Sequence, residues 1–212
     1  MSRLRRFTMS LSLYGAARSR ASMVRWYLEE KAIPYTWISL DMGAAEHRQE
    51  AFLAINPFGK VPALVDDSLQ GPDGGPLKLF ESGAILQHLA EHPGQEFSGA
   101  TAAARRSLTV QWLLYANATF GPALIQAASK PEELERQLAT LDHLLAAGPS
   151  LLGACASSGE PSWGAADCAV QSYLAYLPLF CPQVDLSPFP RVQASIEATR
   201  QRPAYQLAMG QG

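Results

Sequence analysis

Cysteine is scarce and late in this 212-residue chain: Cys155, Cys168 and Cys181 are the only three, and none precedes residue 155. An odd number without CxxC or CxxH spacing argues against both a disulfide framework and a zinc site, so no metal is expected. Charge of either sign is sparse. Asp, Glu, Lys and Arg make up 17% of the residues and the net charge is -2, which leaves no basic footprint for nucleic acid. Uninterrupted apolar runs are short, well below the ~20 residues of a membrane-spanning helix, so no membrane partner is expected. The opening Met1-Ser2-Arg3-Leu4-Arg5-Arg6 is basic, yet no apolar run long enough for a signal peptide follows it. With Met9 close behind, residues 1–8 read as a loose extension or a start-site choice. A reducing, cytoplasmic home is the expectation.

Apolar residues are plentiful by contrast. At 48% hydrophobic, the chain can bury a sizeable core in one large domain or two small ones. Ser10 to Tyr14 alternates as a strand and stops at Gly15, and a helical spacing follows from about Ser19 to Lys31. Tyr35 to Leu40 is aromatic and β-branched, a second strand. His47 to Ala54 reads as a short helix. A third strand after Pro62, a fourth ending at Phe80 and a helix to about Glu91 complete an order of β-α-β-α-β-β-α. That order implies a mixed sheet with helices on both faces. His92-Pro93-Gly94-Gln95 punctuates the chain, and beyond it strand signals cease. Arg105 to Leu124 is expected to be a long helix bent at Gly121-Pro122. Leu134, Leu138, Leu141 and Leu145 form a helical stripe, a helix opens near Trp163–Asp167, and the last runs from Pro190 to about Arg202.

The stretch from Asn56 to Ser82 carries the chemistry. It reads Asn-Pro-Phe-Gly-Lys-Val-Pro-Ala-Leu at 56–64 and Glu-Ser-Gly-Ala-Ile at 81–85. Pro62 lacks an N–H and suits a strand's first residue, where a cis bond would turn the Val61 N–H and C=O outward to pair with an extended peptide. Glu81 can accept an ammonium, while Ser82 and the free N–H groups of the next helix suit a carboxylate. Ser82 is also an ordinary helix cap. The two fragments together, at hairpin distance, resemble the glutathione-binding half of cytosolic glutathione transferases, and the likeness extends in order over most of the chain.

That resemblance implies a thioredoxin-like domain over 9–92, a linker at 93–101 and an all-helical bundle domain over 102–212 that contributes the electrophile pocket. It implies glutathione as co-substrate, small hydrophobic electrophiles as partners and a homodimer, in which Arg105 and Arg106 would meet Glu91 or the flank of Glu81. Arg20, His47, Lys60, Val61, Pro62, Glu81 and Ser82 become glutathione contacts. His47 stands at the interval before Val61 of a carboxylate-binding histidine in theta-like members. Tyr115 and Phe120 are candidates to line the electrophile pocket, while Trp112 reads as core. In the family the helix near Asp167 usually begins with Ser or Thr three residues earlier; here that position is Gly164, so the cap is weaker or Ser162 takes the role.

The reaction needs a thiolate at neutral pH. Lowering a thiol's pKa from about 8.5 by roughly two units stabilises the thiolate by about 2.7 kcal/mol, within reach of a hydroxyl, a cation and a helix N-terminus. Tyr14-Gly15-Ala16-Ala17-Arg18-Ser19-Arg20 holds all three. One register places Ser19 on the catalytic hydroxyl of serine-type members, and an ungapped match places Tyr14 on that of tyrosine-type members. Ser19 leads. The turn has no cysteine, which disfavours a glutaredoxin-type oxidoreductase. A non-catalytic glutathione-binding or regulatory protein, or a glutathione-dependent peroxidase or isomerase, remains open. Arg-Ser-Arg-Ala-Ser at 18–22 with Glu46-His47-Arg48 looks most like bacterial, theta- or chi-like members.

Overall fold

The computed structural model describes residues 11–148, 150–152 and 163–209; the extension at 1–8, Cys155 and Ser162 lie outside them. Strand β1 (Leu11–Gly15) alternates as expected. Leu11 and Leu13 are fully buried against α1 (Ala21–Glu30) and α3 (Ser82–Glu91), whose Val24, Leu28, Ile85 and Leu89 complete the layer. Each such leucine or isoleucine contributes about 2 kcal/mol through burial. Tyr14 points to the opposite face, where it packs at 5.9 Å on Phe52 of α2 (Glu50–Leu53). Strand β2 (Thr36–Ser39) pairs parallel with β1. Strand β3 (Ala63–Gln70) runs antiparallel to both β1 and β4 (Pro76–Phe80), giving the order β2-β1-β3-β4. This is the mixed, helix-covered sheet of a thioredoxin-like domain.

The rest of the described chain is helical: α4 (Ala102–Leu114), α5 (Gly121–Ile125), α6 (Pro131–Leu144), α7 (Ala165–Phe180), α8 (Pro190–Gln201) and α9 (Pro203–Met209). The irregularity expected at Gly121-Pro122 falls earlier, as a π-helical stretch from Tyr115 to Phe120. Pro122 has no N–H to give the preceding turn, and the wider π-turn absorbs the misfit. Helix α9 was not expected. Pro203 suits the first position of a helix, and the new helix packs on α1, with Tyr205 set edge-on to Trp26 at 5.2 Å.

The two halves meet along α1. Trp26 also touches Trp163 at 5.6 Å and donates its indole N–H to Glu30 at 3.2 Å. Arg202 binds both oxygens of Glu30 and lies over the Trp163 ring. Two carboxylates meet the start of helix α7. Asp167 accepts the Gly164 and Leu151 N–H groups at 3.0 and 2.7 Å and the Ser150 hydroxyl at 3.1 Å. The missing hydroxyl at 164 is replaced by Glu96, which reaches across to accept the Ala165 N–H at 3.1 Å. A side chain at 164 would place its Cβ 2.7 Å from that carboxylate, so Glu96 would have to shift to admit one.

Candidate functional site

The Val61–Pro62 bond is cis, and pairing in β3 begins only at Ala63, so Val61 lies outside the ladder at the sheet's end. The loop before it is built by Asn56. Its buried side chain accepts the Phe58 N–H at 3.1 Å and donates to the Lys60 carbonyl at 2.6 Å. Gly59 takes φ +58°, and a Cβ there would come within 2.9 Å of the His47 carbonyl. The loop is thereby pressed onto the 3-10 turn Glu46–Arg48. Across from it, Glu81 holds the left-handed φ of +68°, a conformation that costs a non-glycine residue about 1–3 kcal/mol. It ends β4 and sends its side chain out while α3 starts directly behind it.

These segments enclose a cleft of about 630 Å³. Arg20, His47, Lys60, Val61, Pro62, Glu81 and Ser82 all line it, so the seven residues expected to contact glutathione are brought together. Arg20, Arg48 and Lys60 face it as cations and Glu81 as the one carboxylate. None of these four side chains has a hydrogen-bond or ion-pair partner among the described residues. The His47 Nδ1 atom is buried and unpartnered there. Behind the cleft, the first N–H groups of α3 are left over by the helix's own bonding. The Ser82 hydroxyl, 1% exposed, donates to Asn117 Oδ1 at 3.0 Å.

Neither thiol-activating candidate lines this cleft. Ser19 donates its hydroxyl to the Ala16 carbonyl at 2.7 Å and accepts the Ala21 N–H at 3.2 Å, so its hydroxyl is engaged in the turn that opens α1, one residue ahead of the N-cap Arg20. Tyr14 lies under α2. Tyr115 gives its hydroxyl to Gln137 at 2.9 Å and packs against Trp112 and Phe120, while Phe120 is fully buried. Burial raises the Tyr115 phenol, with Glu133 adding to it. A second cleft of about 400 Å³ lies on the far side of Arg20, walled by Leu124, Ile125, Tyr173, Tyr176 and Phe180. Tyr115 and Phe120 do not border it.

Several residues escaped the sequence reading. Phe58 and Phe80 stack edge-to-face at 5.3 Å on the cleft rim, the former 69% exposed. A large apolar ring within a Pro/Gly loop was the available signal. Asn117 accepts from both Ser82 and Tyr173, the latter at 3.2 Å, and donates to the Leu113 carbonyl at 3.0 Å. It ties the cleft floor to the helical half; a lone amide between alanines in an apolar helix was its signal. Burial raises the Tyr173 phenol against the pull of Arg20, which keeps its proton available for Asn117.

Residues 9–91 match the family model described as the N-terminal domain of glutathione S-transferases. The chain is 34% identical over 208 residues to disulfide-bond oxidoreductase YfcG of Escherichia coli, covering 94% of each. Among solved structures, a glutathione transferase family member from Pseudomonas fluorescens, with two glutathione bound, superposes with a TM-score of 0.78 at 28% identity, covering 94% of this chain and 92% of that one. A glutathione transferase from Pseudomonas putida, with a glutathione disulfide bound per subunit, gives the same TM-score and identity, over 94% of this chain and 90% of that one. The fold and these likenesses define the class. The chain belongs to the cytosolic glutathione S-transferase family. Among the described residues no helix is long and apolar enough to cross a membrane.

Proposed function

We propose that the protein is a cytoplasmic glutathione transferase that holds glutathione in the 630 Å³ cleft and directs its thiolate at small hydrophobic electrophiles, a detoxifying reaction. One observation carries this reading: the unpaired cations and single unpaired carboxylate that face each other across the cleft. Glutathione has two carboxylates and one ammonium. Glu81 takes the ammonium, the α3 N–H groups and Ser82, whose hydroxyl turns from Asn117 to the ligand, take the neighbouring carboxylate, and Val61 pairs with the backbone of the central residue. His47 and Lys60 take the glycyl carboxylate. Solved relatives that carry glutathione support the same placement.

The sulfur then faces the start of α1, where the helix N-terminus and Arg20 favour a negative charge. Ser19 joins them by exchanging the Ala16 carbonyl for the sulfur. With 1-chloro-2,4-dinitrobenzene as electrophile, Ser19→Ala is expected to lower turnover by about tenfold or more with little change in glutathione affinity. If Tyr14→Phe carries the loss instead, and Ser19→Ala only lowers the melting temperature by about 2–4 °C as a lost cap would, the tyrosine is the activating group.

The likeness to a disulfide-bond oxidoreductase favours a second reading. The turn between β1 and α1 has no cysteine, but the thiolate of bound glutathione can itself attack a disulfide, releasing one thiol and forming a mixed disulfide. Hydroxyethyl disulfide reduction by the same preparations separates the two activities.

We also propose a homodimer built on the outer faces of α3 and α4. Ala84, Gln87, Val110 and Leu114 border a shallow apolar cleft there, and Leu114 is 62% exposed. Of the ion pairs expected at the two-fold axis, Arg106 with Glu91 forms within one chain, with both Glu91 oxygens bound at 2.6 Å. Light scattering at micromolar concentration is expected to give about twice the 22.9 kDa chain mass. A monomer that still conjugates glutathione would refute the dimer alone.

A further inference from the structure

The second cleft is more than an apolar slot. Arg18 and Arg20 border one side of it, and no Asp or Glu lines it anywhere. Arg20 also borders the cleft proposed for glutathione, where the γ-glutamyl end would engage it; Arg18 does not border that cleft. Among the described residues Arg18 has no hydrogen-bond or ion-pair partner. The contrast with Arg25 is instructive. Arg25 bonds the Tyr35 hydroxyl at 3.0 Å and lies over the Trp37 ring. Arg18 instead is exposed at φ +57° on the turn between β1 and α1, where it borders both this slot, walled by Ile125, Tyr176 and Phe180, and a smaller cleft lined by Arg25 and Trp37.

An arginine exposed to bulk water is ordinarily solvated and selects nothing. Here a ligand filling the slot would shed water from one side of the guanidinium, and a planar fork binds a carboxylate with two parallel hydrogen bonds. We infer that the second cleft takes an apolar, aromatic electrophile carrying a carboxylate, and that Arg18 is the residue that selects for the carboxylate. The inference rests on the transfer reading above and names its substrate class. The ring lies between Ile125 and Phe180, its carboxylate toward Arg18 and its reactive carbon toward the sulfur. For an aryl chloride, the sulfur forms a bond to the ring carbon and the carbon–chlorine bond breaks, its electron pair leaving as chloride. The thiol proton passes to solvent, and no oxidant or reductant is involved.

The test uses a matched pair of probes, 4-chloro-3,5-dinitrobenzoate and 4-chloro-3,5-dinitrobenzamide, each kcat/KM divided by its uncatalysed rate constant. In the wild-type protein the corrected ratio is expected to favour the benzoate. Arg18→Met is expected to lower that ratio by about tenfold, and Arg18→Lys to lower it less, since a point charge replaces the fork. A ratio that is the same in all three proteins overturns the inference. So does a wild-type ratio that favours the benzamide. Where neither probe is turned over, the transfer reading has failed, and the inference is then judged by titration calorimetry with the unreactive 3,5-dinitrobenzoate and 3,5-dinitrobenzamide. Tighter binding of the benzoate that is lost in Arg18→Met supports it, and equal binding of both compounds sinks it.

Discussion

Glu81→Gln is expected to weaken glutathione binding by about tenfold or more while leaving the melting temperature nearly unchanged. A hydrogen bond to a charged group is worth about 1.5–3 kcal/mol, and about 1.4 kcal/mol is tenfold in affinity. The carboxylate of Glu81 is exposed and has no partner among the described residues, so neutralising it disturbs nothing within the fold. Its strained φ of +68° is unaffected by the exchange. Ser82→Ala is expected to weaken binding by about an order of magnitude as well. That variant also leaves Asn117 one donor short, so some loss of melting temperature accompanies it. Calorimetric titration with glutathione reads both. Wild-type affinity in Glu81→Gln and Ser82→Ala would sink the assignment of this cleft.

The largest loss of stability is expected from Asp167→Ala. Asp167 is 1% exposed and accepts three hydrogen bonds, from Gly164, Leu151 and Ser150. Removing it strips the cap of a 16-residue helix, twelve of whose residues are buried, and leaves two backbone donors in a dry site. Such losses cost about 1–3 kcal/mol per orphaned group, so about 3 kcal/mol in all is a modest expectation. In a chain of this size that lowers the melting temperature by about 6–12 °C. A drop of a degree or two by calorimetry would show that Glu96 alone suffices as a cap.

The same residue sets a pH dependence. Burial, helped by nearby Glu96, pushes the Asp167 carboxyl up to about 6 against the pull of its three donors. The folded state therefore holds this proton more tightly than the unfolded chain, in which an aspartate titrates near ~3.9. The contribution is whole below that value and declines as pH rises through 6. Between pH 5 and 7 the wild-type protein is expected to lose melting temperature that Asp167→Asn does not lose.

The sheet half was legible because its signals are local. Alternation in Leu11–Gly15, the Gly/Pro punctuation between Gln70 and Pro76, and the acid–hydroxyl pair before α3 each act within a few residues. The cleft proposed to hold glutathione was legible for the same reason, since most of its lining comes from two short contiguous motifs. The helical half was less so. One π-turn adds a residue to the helix and rotates the residues beyond it by about 100° around the axis. Helical spacing offered both Tyr115 and Phe120 as pocket residues, and neither borders the second cleft. The walls of the second cleft, Ile125 and Phe180, sit at the ends of helices, where periodicity carries little weight. The role of Ser19 could be read only as two alternatives, because one hydroxyl at a helix start serves capping and chemistry alike.

Glu96 was beyond any local reading, since it lies 69 residues from the amide that it caps. Its placement has a bearing on how the two halves of such a protein can be exchanged. Residue 96 sits in the stretch between α3 and α4, where recombination between relatives would most naturally fall. A crossover before it hands Glu96 on together with Gly164, and α7 keeps both of its caps. A crossover after it joins Gly164 to another sheet half and leaves the Ala165 amide with nothing to meet. The reverse exchange, onto a helix with a side chain at 164, obliges the Glu96 carboxylate to move. The inheritable unit is therefore not the helical domain alone but that domain with a few residues of its leader, and Glu96 marks where the seam must be cut.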